Sequence, residues 1–213
     1  FRRKVGSMKR ATAIAVSLLA ASTASAQAPE TGTFTLQQFG TTIATETFRR
    51  TPTSLETDLT IPSEATVRTS STLNRDGTLA RLEVRVLPPG GEGAPLQSTG
   101  VAFSGARATP EQPIGNALAP MDVPTGTVAY VNPSPSFMEQ ILRRARAVGG
   151  DSVTVPILTP GAGGLQVVEA TVVFAADAAT LTLGGVAVQA VTDEVGRFLS
   201  GAVPSQGLVI SRR

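Results

Sequence analysis

The 213-residue chain contains no cysteine, no histidine and no tryptophan. Without cysteine there is no disulfide framework and no thiol nucleophile. Without histidine there is no Ser-His-Asp base, and with both absent the chain lacks the donors that zinc and other soft metals require. Lysine occurs only as Lys4 and Lys9, so nothing beyond them can form a Schiff base or serve as a phosphate-loop lysine. The reading calls for no cofactor and no metal. Aromatics are scarce, with eight Phe and one Tyr, so a core has to be built from Val, Leu, Ile and Ala with Phe as its large pieces.

What is present begins with a leader. Met8-Lys9-Arg10 is a basic start, Ala11 to Ala20 is a short apolar run, and Ala24-Ser25-Ala26 is a small-residue cleavage site. The apolar run is too short to span a bilayer, which takes about 20 residues. Residues 1–26 are therefore expected to be a signal peptide cleaved before Gln27, with residues 1–7 upstream of the true start. The mature protein is expected in the periplasm or secreted, and not membrane-spanning after cleavage.

Five of the 18 basic residues and none of the 16 acidic ones precede Gln27, so the remainder carries 13 Arg and a net charge of −3. No basic patch points to nucleic acid. Residues 27–213 have the length of a single domain, enough to bury a core without covalent staples.

The dominant period of that segment is two, the period of strands. Leu55, Thr57, Leu59 and Ile61 share one face, and Glu56, Asp58 and Thr60 the other. Leu82, Val84 and Val86 alternate with Arg81, Glu83 and Arg85 in the same way, as in a sheet with one wet face. Asp76-Gly77 and Gly184-Gly185 supply the chemistry of tight turns. Gln97 to Ala108 reads as one strand, and Thr109 to Pro124 as an irregular connector. Gly161-Ala162-Gly163-Gly164 is read as a turn, since no helix follows it to make a phosphate loop. Counted this way, the chain has about ten strands.

One helix is well marked. Ser134 or Ser136 can cap it, Pro135 suits its first turn, and Ser136-Phe137-Met138-Glu139 fits a capping box. Phe137, Ile141, Ala145 and Val148 form its apolar stripe, widened by Met138 and Leu142. Gly149-Gly150 ends it. Phe137, Ile141, Leu142 and Ala145 are candidates for the floor of a ligand pocket. Arg143, Arg144 and Arg146 are candidates for contact with an anion. Plain core packing and helix-end electrostatics are the competing accounts of these two groups.

Catalytic candidates reduce to carboxylates. Asp193-Glu194 lies in a turn and Asp122 in the connector, and neither is a matched pair across a cleft.

The stretches Gly32–Leu36, Ile43–Phe48 and Gly196–Leu208 resemble the opening and close of exported, uncharacterised β domains of high-GC Gram-negative bacteria. Such domains are similar to the half-barrel class of periplasmic lipoprotein carriers. That resemblance implies a curved antiparallel sheet wrapped on a helix, and an apolar concave face that takes acyl chains. The expected fold is thus mainly β: a curved antiparallel sheet or half-barrel of about ten strands, with one α-helix packed on the concave face. A closed or nearly closed barrel is the alternative. The expected function is non-enzymatic: a binding or carrier module for a lipid, another apolar ligand or an acylated protein. The alternatives are an accessory domain docking another envelope protein, and a carboxylate-based hydrolase.

Overall fold

The computed structural model describes residues 28–111, 119–161, 164–176 and 178–213. The expected leader, the centre of the Gly161–Gly164 turn and part of the 109–124 connector lie outside them.

Fifteen strands, one α-helix and one 3-10 turn (Pro204–Gln206) make up the regular structure of the described residues. The first run of strands is β1 (Glu30–Gln38), β2 (Thr41–Thr51), β3 (Ser54–Ile61), β4 (Ala65–Leu73), β5 (Leu79–Leu87), β6 (Gln97–Ser104), β7 (Arg107–Pro110) and the two-residue β8 (Met121–Asp122). A second two-residue strand, β9 (Val128–Ala129), precedes helix α1 (Pro135–Val148). The second run is β10 (Ser152–Gly161), β11 (Gly164–Ala175), β12 (Ala178–Leu183), β13 (Val186–Thr192), β14 (Phe198–Val203) and β15 (Leu208–Arg212).

All fifteen strands belong to one sheet, in the order β8-β7-β6-β5-β4-β3-β2-β1-β15-β14-β13-β12-β11-β10-β9. Each run is a meander. The two join where the first and last strands pair, from Phe34 opposite Arg212 to Gln38 opposite Leu208.

Three expectations are corrected. The strand count is fifteen rather than ten, partly because Gly105 (φ +59°) breaks the 97–108 stretch into the hairpin β6–β7. The two-residue β8 carries too little pattern to be read from sequence, whereas β9 lies within Thr127–Val131, which reads as a short strand. The sheet is mixed rather than antiparallel throughout, because β9 runs parallel to β10. It is also not closed into a barrel: β8 and β9 are its two separate edges. Near β9 the chain does approach β5, where Leu79 N–H donates to the Thr127 carbonyl at 3.4 Å.

The alternation read from sequence holds in the strands that carry it. Leu55, Thr57 and Leu59 are buried, as are Leu82 and Val84, while Ile61 and Val86, expected on the same faces, are only half-buried. Phe34 on β1 stacks on Phe48 of β2 at 5.4 Å between ring centroids, and meets Phe198 of β14 edge-on at 5.8 Å. These three rings fill the seam between the meanders.

Helix α1 starts at Ser134, whose hydroxyl accepts from Phe137 N–H at 3.4 Å. It ends at Gly149 (φ +84°), whose N–H bonds the Ala145 carbonyl at 3.1 Å. The cap is therefore Ser134, not Ser136, and the third helical position falls on Phe137. No capping box forms, which leaves the Glu139 carboxylate free for other partners. Val148, expected in the apolar stripe, is 56% exposed on the last turn. The first two turns are buried almost all round, Glu139 and Gln140 included. α1 contacts β9, β10, β11, β12 and β14 and forms ion pairs with β1, β2 and β15. Strands from both meanders thus touch one helix, so the sheet curves about it.

Candidate functional site

Phe137, Ile141, Leu142 and Ala145 are at most 1% exposed. They form the contact between helix and sheet and line none of the cavities described below. The three arginines diverge. Arg143 joins an ion cluster, as described next. Arg144 Nη1 reaches the Asp76 carbonyl at 3.4 Å. Arg146 donates to Thr192 Oγ1 at 2.7 Å and lies 4.8 Å over the Phe174 ring.

The ion cluster centres on Glu139, which is fully buried. Its Oε1 accepts from Arg50 Nη1 and from Arg143 Nε at 2.9 Å, and its Oε2 from Arg212 Nη1 at 2.8 Å and Phe198 N–H at 3.0 Å. Glu30 bridges Arg212 at 2.5 Å and Arg143 at 3.1 Å. Glu30 opens β1, Arg50 closes β2 and Arg212 closes β15, so antiparallel pairing brings them to one end of the sheet, over the helix. Burial works to raise the Glu30 pKa. The Arg212 hydrogen bond and the charges of Arg143 and Arg50 outweigh it and leave the group below its ordinary value. With every oxygen of Glu139 occupied by donors, this cluster is built to lock the helix onto the sheet rather than to move protons.

Sequence reasoning missed this cluster, although a signal existed. On β2 the inward positions read Ala44, Glu46, Phe48, Arg50, so two charges fall in phase with the apolar residues. Glu46 faces the helix start and accepts from Ser136 N–H at 2.9 Å. Burial pushes its carboxyl above the usual range, against the lowering effect of bonds from Ser134 and Ser136 and of the Arg50 charge. Burial, and then the Glu46 charge, push the Tyr130 phenol up as well.

The carboxylates considered for catalysis do not converge. Asp193 Oδ1 takes the N–H groups of Val195 and Arg197 at 3.1 and 2.8 Å, and its Oδ2 pairs with Arg197 Nε at 2.5 Å. It is a turn residue. Glu194 is exposed beside it, and Asp122 lies exposed on the edge strand β8. No group of three or more acidic side chains that could hold a metal occurs among the described residues.

The outer face of the sheet, turned away from α1, differs between the two meanders. On β2–β5 it is charged: Arg49 faces Glu56, and Asp58 pairs with Arg68 at 2.7 Å. On β11–β15 it carries no charge over two adjacent cross-strand rows. One row runs Val173, Thr180, Gln189, Ala202, Val209, and the next Ala175, Ala178, Val191, Ser200, Ser211. Small side chains in the middle of these rows leave a groove of about 600 Å³. Val173, Val191 and Val209 stand in it 43–50% exposed. A wet sheet face normally alternates into polar and charged residues, so two adjacent rows across five strands without a charge are the departure that needs a reason.

The fold and these surfaces define a mainly-β protein of one large open sheet with a single buried-ended helix. A solved structure, that of a DUF1089 family protein from Pseudomonas aeruginosa, is similar to it with a TM-score of 0.57 and 17% identity, over 76% of this chain and 89% of that one. At that identity the likeness shows the fold alone. No family model matches the chain, and no curated protein matches it. No helix among the described residues is long and apolar enough to cross a membrane.

Proposed function

We propose that this chain is a non-enzymatic binding or carrier module of the periplasm or the cell exterior, and that it takes an apolar ligand or the acyl part of an acylated protein. The observation that carries this reading is the uncharged groove over β11–β15. Its volume falls within the roughly 300–1,000 Å³ of ligand clefts. Each methylene moved from water onto such a surface contributes about 0.8 kcal/mol, with no carboxylate or guanidinium to desolvate. In this reading the curved sheet about α1 is a half-barrel of the lipoprotein-carrier kind, with the helix on its concave side. That side is filled by core, so the ligand lies on the outer face instead. The expected site residues Phe137, Ile141, Leu142 and Ala145 then support the sheet from behind.

Native mass spectrometry of protein purified from its host tests the proposal. A bound mass of lipid type, lost in Val191→Asp, is the expected result. Protein that carries no small molecule, or that binds long-chain lipid equally well in Val191→Asp, contradicts it.

A second reading is an accessory domain that docks an envelope protein through a strand edge. One observation favours it. β12 pairs with β11 only from Ala170 onward, so among the described residues Gly164–Glu169 bonds β10 alone and leaves an open edge. A co-purified protein released by Val168→Pro would select this reading.

A further inference from the structure

The Glu139 cluster does not use up the cations at its end of the fold. The β4–β5 turn folds over the outer side of α1, where Gln140 Nε2 donates to the Gly77 carbonyl at 2.9 Å and Arg144 Nη1 reaches the Asp76 carbonyl. Between this turn, the end of β2 and the helix lies a cavity of about 170 Å³, walled by Arg50, Arg75, Arg143, Arg144, Asp76 and Gln140 among others. Arg50 and Arg143 are engaged with Glu139 and Glu30. Among the described residues, no carboxylate lies within ion-pair distance of Arg75 or Arg144. Arg50 is 94% buried, given its 6% exposure, and its Nε has no partner.

The one acid on the wall is held chiefly by its own turn, although its charge is also felt by Arg144. Asp76 Oδ1 accepts from Thr78 N–H at 3.1 Å and Thr78 Oγ1 at 2.6 Å. Arg144 is held in place. Its Nη2 lies 2.7 Å from where a Cβ on Gly126 (φ +88°) would sit, so the guanidinium rests against the bare backbone of the loop before β9. Five arginines (50, 75, 143, 144 and 212) face three acids (30, 76 and 139) here, a local charge of +2 in a chain that is net negative from Gln27 onward.

We propose that this cavity is an oxyanion site that takes one phosphate- or sulfate-type group, free or carried as the head group of a larger molecule. Arg75 and Arg144 supply the direct contacts, and Arg50 and Arg143 stand behind them. The size fits a group rather than a whole ligand. The cavity holds roughly half a dozen waters at about 30 Å³ each, well under the volume of ligand clefts. Guanidinium groups converging from the turn and from the helix suit a tetrahedral anion with several acceptor oxygens. A carboxylate, with two oxygens, is already matched by one guanidinium fork.

Titration calorimetry with inorganic phosphate and with sulfate, against a chloride background, tests the site. Saturable uptake at one site is expected. Arg75→Ala together with Arg144→Ala is expected to weaken it by about tenfold or more, equivalent to about 1.4 kcal/mol or more, with an unchanged denaturation midpoint. Arg144→Lys should retain part of the affinity. Vesicles of phosphatidylcholine containing phosphatidic acid, with phosphatidylcholine alone as the blank, separate the two sources. Vesicle binding that exceeds that of free phosphate, and that the double variant loses, assigns the anion to a head group. Equal or tighter binding of free phosphate assigns a free anion. No saturable uptake in either arm, or uptake that the double variant retains, overturns the proposal. The site does not rest on the apolar groove: phosphate uptake by a protein that takes no acyl chain supports the one and refutes the other.

Discussion

Glu139 on α1 and Arg50 at the end of β2, 89 positions apart in the chain, form an ion pair in which neither side chain is more than 6% exposed. The pair joins the helix to the first meander. Arg212 and the Phe198 amide tie the same carboxylate to the second. Removing one partner of a buried pair strands the other charge, at a cost of about 3–5 kcal/mol. Glu139→Gln is expected to lose that much in urea denaturation. Glu56→Gln, which breaks the exposed Arg49–Glu56 pair, is expected to lose about 1 kcal/mol or less. Similar losses for the two would mean that the cluster does not lock the helix.

Two acids at this end set opposite pH dependences. Glu30 has a folded pKa below its ordinary 4.5. Its contribution is therefore complete above pH 4.5 and is lost as pH falls through the folded value. Glu46 has a folded pKa above 4.5, so the unfolded chain releases that proton first and stability declines as pH rises from 4.5 through the folded value. Denaturation as a function of pH should show a shallower acid limb for Glu30→Gln. For Glu46→Gln, which keeps an acceptor for Ser136 N–H, the gain over the parent should grow above pH 4.5. A Glu46→Gln protein less stable than the parent at neutral pH contradicts this assignment.

The helix orientation has its own test. Leu142 is fully buried and Arg144 is partly exposed. Leu142→Asp places an unpaired charge in the core and is expected to cost several kcal/mol. Arg144→Ala is expected to stay within about 0.5 kcal/mol of the parent. Equal midpoints in chemical denaturation would place the helix the other way round.

Gly201 on β14 is required by close approach rather than by backbone angle. A Cβ there would lie 2.5 Å from Cζ of the buried Phe198 ring and 3.2 Å from the Gln189 carbonyl oxygen. Gly201→Ala should therefore cost about 1–3 kcal/mol as an overpacked core position, while Gly184→Ala, which meets nothing within 4 Å, should cost only the strain of its φ of +53°. Thermal denaturation of the two variants compares them. An unchanged midpoint for Gly201→Ala would contradict the Phe34–Phe198 seam.

The strands were legible where one face is wet. Leu55, Leu59, Leu82 and Val84 alternate with charges, and that contrast is what a period of two can report. On β12–β14 neither face carries a charge, so the pattern marks strands such as Val186–Val191 without saying which side is buried. The helix was legible from Pro135 to Gly149, yet Glu139 was misread as part of a cap. Local spacing resembles a capping box whether or not the true cap lies two residues earlier. The partners that decide the role of Glu139 come from strands at both ends of the chain. Glu30 and Arg212 are ordinary surface residues by sequence, Arg50 stands out only by its phase on β2, and the pairings of β1 with β2 and with β15 assemble them. The groove was hidden for the same reason, since its rows run across five strands.

The central claim is that the uncharged groove on the outer face of β11–β15 receives an apolar chain. Its most direct test is methyl-resolved NMR during titration with a long-chain fatty acid. The account predicts saturable shifts confined to Val173, Val191 and Val209, with Val67 and Val84 on the other face of the sheet unmoved, and loss of all shifts in Ala202→Arg. Shifts centred on inward-facing methyls, or no saturable shifts in a folded protein, would contradict it.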